Sequence, residues 1–164
     1  MNLKKQAHDL TYRIENNFFL TVIRRSLTMM IPFVLVGGFA CAFINLPFID
    51  YGSELFDGAL GTLYSIFIFI YNGTFGLFSL ALVIVITVSY CIEKNESPDK
   101  AAMYVIVALG AYGAQLNIGT SGFNFESLGV KSSFSAIFIA LLSCFLYERL
   151  KRITAFSLKK YVSG

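Results

Sequence analysis

The sequence predicts an all-α membrane protein of about four transmembrane helices, with an amphipathic N-terminal helix and a short partial or interfacial helix near residues 63–71. Three observations carry that prediction. Of 164 residues, 56% are hydrophobic and only 14% charged, with a mean hydropathy of +0.67; a soluble domain is about a quarter charged. A chain this short has too much surface per volume to bury such an excess, so apolar side chains must face lipid or a partner. Second, long stretches carry no charge: Ser26 to Leu46, then Gly58 to Ile92. Third, the basic residues are clustered between and beyond these stretches.

The first element is residues 1–25. Leu3, Ala7, Leu10, Ile14, Phe18 and Val22 recur at steps of 3 or 4, with Lys4, Lys5, Arg13, Arg24 and Arg25 between them. That period is helical. It fits a helix on the membrane surface with its cations near lipid phosphates; a helix packed on another protein domain would show the same pattern. Because the first apolar stretch begins only near Ser26, no cleavable signal peptide is expected.

The membrane domain is expected over residues 26–149. Its first span, 26–46, would be about 31 Å long as a helix, enough to cross the hydrocarbon. Pro32 falls in the second turn of that span, where a local kink is tolerated. Gly37, Gly38, Cys41 and Ala42 form a small-residue face, with Gly38 and Ala42 four apart, which lets another helix approach closely. Asn45-Leu46-Pro47 ends the span, and a polar loop with Asp50, Glu54 and Asp57 follows.

The charge-free run from Gly58 to Ile92 would make one helix of about 52 Å, too long for a single crossing. Tyr71-Asn72-Gly73-Thr74 is the expected interruption. It divides a partial helix at 63–71 from a second span at 75–92. Glu93–Lys100 is a charged turn, with Ser97 as expected N-cap and Pro98 at the first helical position. The third span, 101–118, is rich in Ala and Gly, as in a helix packed among helices. A Gly/Asn/Ser loop leads to the fourth span, 132–147. The basic tail, 150–164, follows, with Lys151, Arg152, Lys159 and Lys160 continuing a run begun at Arg149.

Charge placement predicts orientation. Of 13 Lys and Arg, seven lie in the N-terminal segment and the 93–100 turn, five lie from Arg149 onward, and Lys131 stands apart. Cytoplasmic loops hold the excess of basic residues. Both termini are therefore expected in the cytoplasm of a multi-pass protein of the bacterial inner membrane. The tail suits anionic lipid, and nothing interleaves aromatic with basic residues as RNA binders do, so no nucleic-acid partner is expected.

Few residues suit catalysis. His8 lacks a nearby nucleophile in sequence and reads as a solvated surface histidine. Cys41, Cys91 and Cys144 lie far apart in apolar stretches, without CxxC or Cys/His spacing, and read as small packing residues. Asp50, Glu54 and Asp57 read as a solvated loop or helix face, with a weak cation site as the alternative. No phosphate loop or HExxH motif is present. No charged residue falls inside the four expected spans, where one would mark a transport path. Asn72, Gln115, Asn117 and Asn124 are the polar candidates for touching a neutral ligand such as a sugar; each also fits a loop or helix end. No catalytic residue, cofactor or metal is expected, and the chain is not read as an enzyme.

Three segments resemble the N-terminal half of enzyme IIC, the membrane permease of the lactose/cellobiose class of phosphotransferase-system sugar transporters. Ile23–Phe48 places basic residues before the span, then Met-x-Pro, paired small residues and a closing Asn-Leu-Pro. Asn72–Ile92 is similar to the family's Gly-Thr-x-Gly start of a span that ends near a Tyr. Leu128–Ile139 resembles its Leu-Gly-x-Lys/Gly-x-Phe-x-Ala segment. Arg24-Arg25-Ser26 departs from the Arg-Asp-Gly of a typical permease. The resemblance implies a homodimer whose N-terminal helices form much of the interface. It also implies import of a β-linked disaccharide, phosphorylated by a partner IIB protein. The essential His and Glu of that family lie in a C-terminal IIC half, so none carries over to this chain. The expected role is a scaffold and dimerisation domain, not competent alone. A IIC-like membrane sensor or anchor of a signalling protein, or an unrelated four-helix membrane protein, are the alternatives.

Overall fold

The structure is a computed structural model that describes residues 17–46, 59–116 and 128–162, with side chains as far as Ile153. All regular structure among these residues is helical: α1 (Phe18–Ile44), α2 (Ala59–Phe75), α3 (Phe78–Glu93), α4 (Pro98–Leu116), a 3-10 turn (Val130–Ser132) and α5 (Ser133–Val162). Most of the amphipathic segment, the Asp50/Glu54/Asp57 loop, and His8, Asn117 and Asn124 lie outside the described residues.

Helix α1 begins earlier than the expected span. The Asn17 side chain accepts the Phe19 amide and caps it, and the helix runs through Arg24 and Arg25 without a break. Pro32 consequently sits in mid-helix rather than in the second turn. Its missing N–H removes one intrahelical bond, a loss tolerated within a membrane span.

The expected interruption at Tyr71–Thr74 is helical. Thr74 Oγ1 donates to the Ile70 carbonyl at 2.8 Å and the Tyr71 carbonyl at 3.1 Å, holding the last turn of α2 together. The break comes after it, at Gly76-Leu77, where the chain bends by 46°. A Cβ at Gly76 would collide with the Asn72 carbonyl, so the bend requires glycine. The partial helix is thus Ala59–Phe75, longer than 63–71, and the following span starts at Phe78.

Two described helices are long and apolar enough to cross a membrane: Phe18–Ile44 and Val130–Ile153. The bent pair α2–α3 makes a third if it is one broken span. Helix α4, the expected third crossing, is not among them. Pro98, Asp99, Lys100 and Gln115 occupy part of its 19 residues and leave a short apolar middle. Helix α5 does not stop at Tyr147 but continues to Val162.

The core forms where α3, α4 and α5 meet, and α1 packs on α2 and α3. Ala136, Ala140 and Cys144 repeat every four residues on α5 and are buried. This small stripe lets the tyrosines of α4, Tyr104 and Tyr112, pack inward with Ala108 between them. Between α1 and α2, Gly37 is buried. Gly38 and Ala42 are exposed, and a Cβ at Gly38 would meet nothing within 4 Å. The small residues of α1 thus divide between two faces, one used within the chain and one open.

Candidate functional site

The largest polar assembly among the described residues joins the start of α1, the end of α3, the start of α4 and the charged part of α5. Four elements meet there because each apolar run ends in ionisable residues at the same level. Arg25 pairs with Glu93. Glu96 pairs with Lys100 at 3.1 Å and Lys151 at 3.3 Å. These two cations, Lys100 first, hold the Glu96 carboxyl below its ordinary range. A depressed carboxyl stabilises the fold above the unfolded-state pKa and loses that contribution as pH falls through the folded value.

Glu148 is the hub. Its Oε2 accepts the Tyr90 hydroxyl at 2.6 Å, its Oε1 accepts Arg152 at 2.8 Å, and Lys94 lies 3.3 Å from Oε2. Lys94 also sits over the Phe18 ring, 4.9 Å from its centroid. Tyr90 is buried and touches Phe18 edge-on, while Tyr104 contacts both Tyr90 and Tyr147. A half-buried carboxylate with three donors fixes α3 to α5.

A second polar knot lies near the other end. Ser79 Oγ, fully buried, donates to the Leu128 carbonyl at 2.5 Å. Its single proton being used there, the Tyr112 hydroxyl 2.5 Å away is the donor of their mutual bond. Ser79 therefore joins α3, α4 and the segment before α5. Ser79→Ala is expected to cost about 1 kcal/mol, the usual range for interhelical bonds in membranes. The check is an unfolding titration with a denaturing detergent; a change within error would remove this knot from the account of stability.

Of the sugar candidates, Asn72 and Gln115 lie among the described residues. Asn72 is exposed on α2, and Gln115 lies at the end of α4 with a buried Oε1 that has no partner among the described residues. Cys91 and Cys144 are buried and Cys41 is partly buried, all as free thiols. Among the described residues no cluster of three His, Cys, Asp or Glu could hold a metal. Sequence reading passed over Glu148, which looked like the first residue of a basic tail. The available signal was its position: Tyr90 and Glu148 both close apolar runs expected to end on the same side.

The family model described as Phosphotransferase system, EIIC matches residues 24–164. Searches of curated proteins and of solved structures return no match.

Proposed function

Since the chain belongs to the phosphotransferase-system EIIC family, and so is a membrane domain of a sugar permease, we propose that it is the N-terminal scaffold and dimerisation part of a lactose/cellobiose-class IIC. It supports import of a β-linked disaccharide only with a C-terminal IIC half and a IIB partner. The observation that carries this reading is the distribution of charge. Ion pairs gather at one end of the bundle, while the middle of the described helices is lined by small residues, hydroxyls and tyrosines. The open Gly38–Ala42 face supports dimerisation, and the gathered basic residues support cytoplasmic termini in the inner membrane.

Gly38→Cys and Ala42→Cys test the dimer. Oxidation in membranes is expected to give a crosslinked dimer from either variant, but none from Cys144, which is buried. A strictly monomeric mass by light scattering in mild detergent overturns it. Cells relying on this chain alone are expected to import no β-linked disaccharide; import would end the scaffold reading. Reporter fusions after residues 96 and 160 are expected inside, and those after 55 and 125 outside.

One observation favours the second reading, a sensor or anchor. Helix α5 is continuous for 30 residues, so it extends about 45 Å, well past its apolar part. A helix leaving the membrane unbroken suits a connection to a soluble signalling domain. A hydrophobic coding sequence after Gly164 favours the permease; a soluble domain there favours the sensor.

A further inference from the structure

Helices α1 and α5 both pack on α3 and scarcely on each other, and at the charged end this leaves a cavity of about 360 Å³. Phe18 and Phe19 of α1, Tyr90 of α3 with its C-cap Lys94, and Phe145, Glu148, Arg149 and Arg152 of α5 line it. We propose that this cavity holds the phosphate of an anionic phospholipid, with Arg149, Arg152 and Lys94 as donors and the outer face of α5 as the track for an acyl chain.

Charge selects the ligand class. Three cations and one carboxylate line the cavity, leaving two positive charges in excess. Glu148 takes one contact from Arg152 and two from Lys94, one to each oxygen. Arg has five N–H donors and Lys three, so each retains donors for a phosphate ester. Arg149 has no carboxylate partner among the described residues; its guanidinium lies 5.2 Å from the Phe145 ring centroid. Glu148 thus positions two cations beside a third whose charge is uncompensated.

The apolar surroundings favour a lipid over free phosphate. Phe134, Phe138, Leu142, Phe145, Arg149 and Arg152 follow one another at steps of 4, 4, 3, 4 and 3. Those steps keep all six on one face of α5. The apolar members of this row are exposed, Phe134 at 88% and Phe138 at 67%. The row therefore runs from two arginines down a ridge of uncovered hydrocarbon, matching a phosphodiester headgroup above an acyl chain. Basic pockets between helices at the membrane surface bind lipid headgroups by this chemistry. The inference needs the chain to lie in a membrane, but does not depend on the scaffold reading.

The test measures the thermal unfolding midpoint of the full chain in neutral detergent during titration with dioleoyl phosphatidylglycerol, dioleoyl phosphatidylcholine, glycerol phosphate or inorganic phosphate. Phosphatidylglycerol is expected to bind at least about tenfold more tightly than phosphatidylcholine, and the two phosphates without a chain much more weakly than either lipid. Arg149→Gln leaves the Glu148 pairs in place and is expected to reduce phosphatidylglycerol affinity about fivefold. Arg149→Gln with Arg152→Gln should abolish the preference, and Lys131→Gln, which removes one charge elsewhere as the Arg149 single variant does, should leave it intact. Helical content by circular dichroism checks folding, and the Arg149 single variant decides the matter if the double variant unfolds. Inorganic phosphate binding as tightly as phosphatidylglycerol overturns the lipid assignment in favour of a free-phosphate site. An undiminished preference in folded Arg149→Gln overturns the site itself.

Discussion

Glu148→Ala is expected to lower the unfolding free energy by about 2 kcal/mol, and the loss comes mainly through Tyr90. The Tyr90 side chain is buried, and its hydroxyl donates to a carboxylate. A hydrogen bond to a charged group contributes about 1.5–3 kcal/mol, and an abandoned buried hydroxyl keeps its desolvation cost. The ion pairs add less. Arg152 is 74% exposed and Lys94 is 37% exposed, so solvent screens both. Glu148→Gln retains an acceptor for Tyr90 and should cost roughly half as much. Unfolding titrations of Tyr90→Phe, Glu148→Ala and the double variant give the coupling, expected at about 1–2 kcal/mol for groups in direct contact. Additive single effects would show that α3 and α5 are joined by packing alone at this level.

Gly37→Leu is expected to be the most damaging change in α1. Even a bare Cβ would stand 2.5 Å from Thr74 Oγ1 and 3.0 Å from the Phe75 ring. Thr74 has little room to yield, because it is buried and its hydroxyl is bound back to α2. Overpacking of this kind costs about 1–3 kcal/mol, here by prising α2 from α1. Gly38→Ala is the matched control: with open space around it, the gain in helix propensity is up to about 1 kcal/mol. Melting curves of the two variants in one detergent compare them directly. Equal effects would mean that helix propensity, rather than the α1–α2 contact, governs this segment.

Much of the fold was legible because its determinants are local or compositional. Charge-free runs marked α1, the α2–α3 pair and α5. Pro98 and Asp99 placed the start of α4, whose first turn closes on the Ser97 carbonyl. What sequence could not convey was pairing across the bundle. Gly37 and Gly38 are indistinguishable as letters, and only the approach of Thr74 decides which is buried. Asn72-Gly73 resembles a turn, yet the Thr74 hydroxyl supplies bonds that carry the helix through it. The carboxylate of Glu148 follows an apolar run and precedes Arg149, so nothing local ties it to a tyrosine 58 residues earlier. The Ser79–Tyr112 bond was hidden for the same reason: hydroxyls in apolar segments look like tolerated polarity until their partners are in place.

The kink after Phe75 has a consequence for solvation. It lies beside Gly37, near the midpoint of the charge-free part of α1, which would be the deepest level were α1 to cross a bilayer. Gly76 and Leu77 stand between the two helices; the Leu77 carbonyl accepts the Ala81 N–H at 3.1 Å, but Leu77 lends α3 no capping side chain. Oil cannot satisfy an amide or a carbonyl, and each one left bare there costs several kcal/mol. With α1 and the bent pair in a bilayer, any peptide group at the elbow without a backbone partner would have to face protein or trapped water, which would restrict how the assembly is rotated about the bilayer normal.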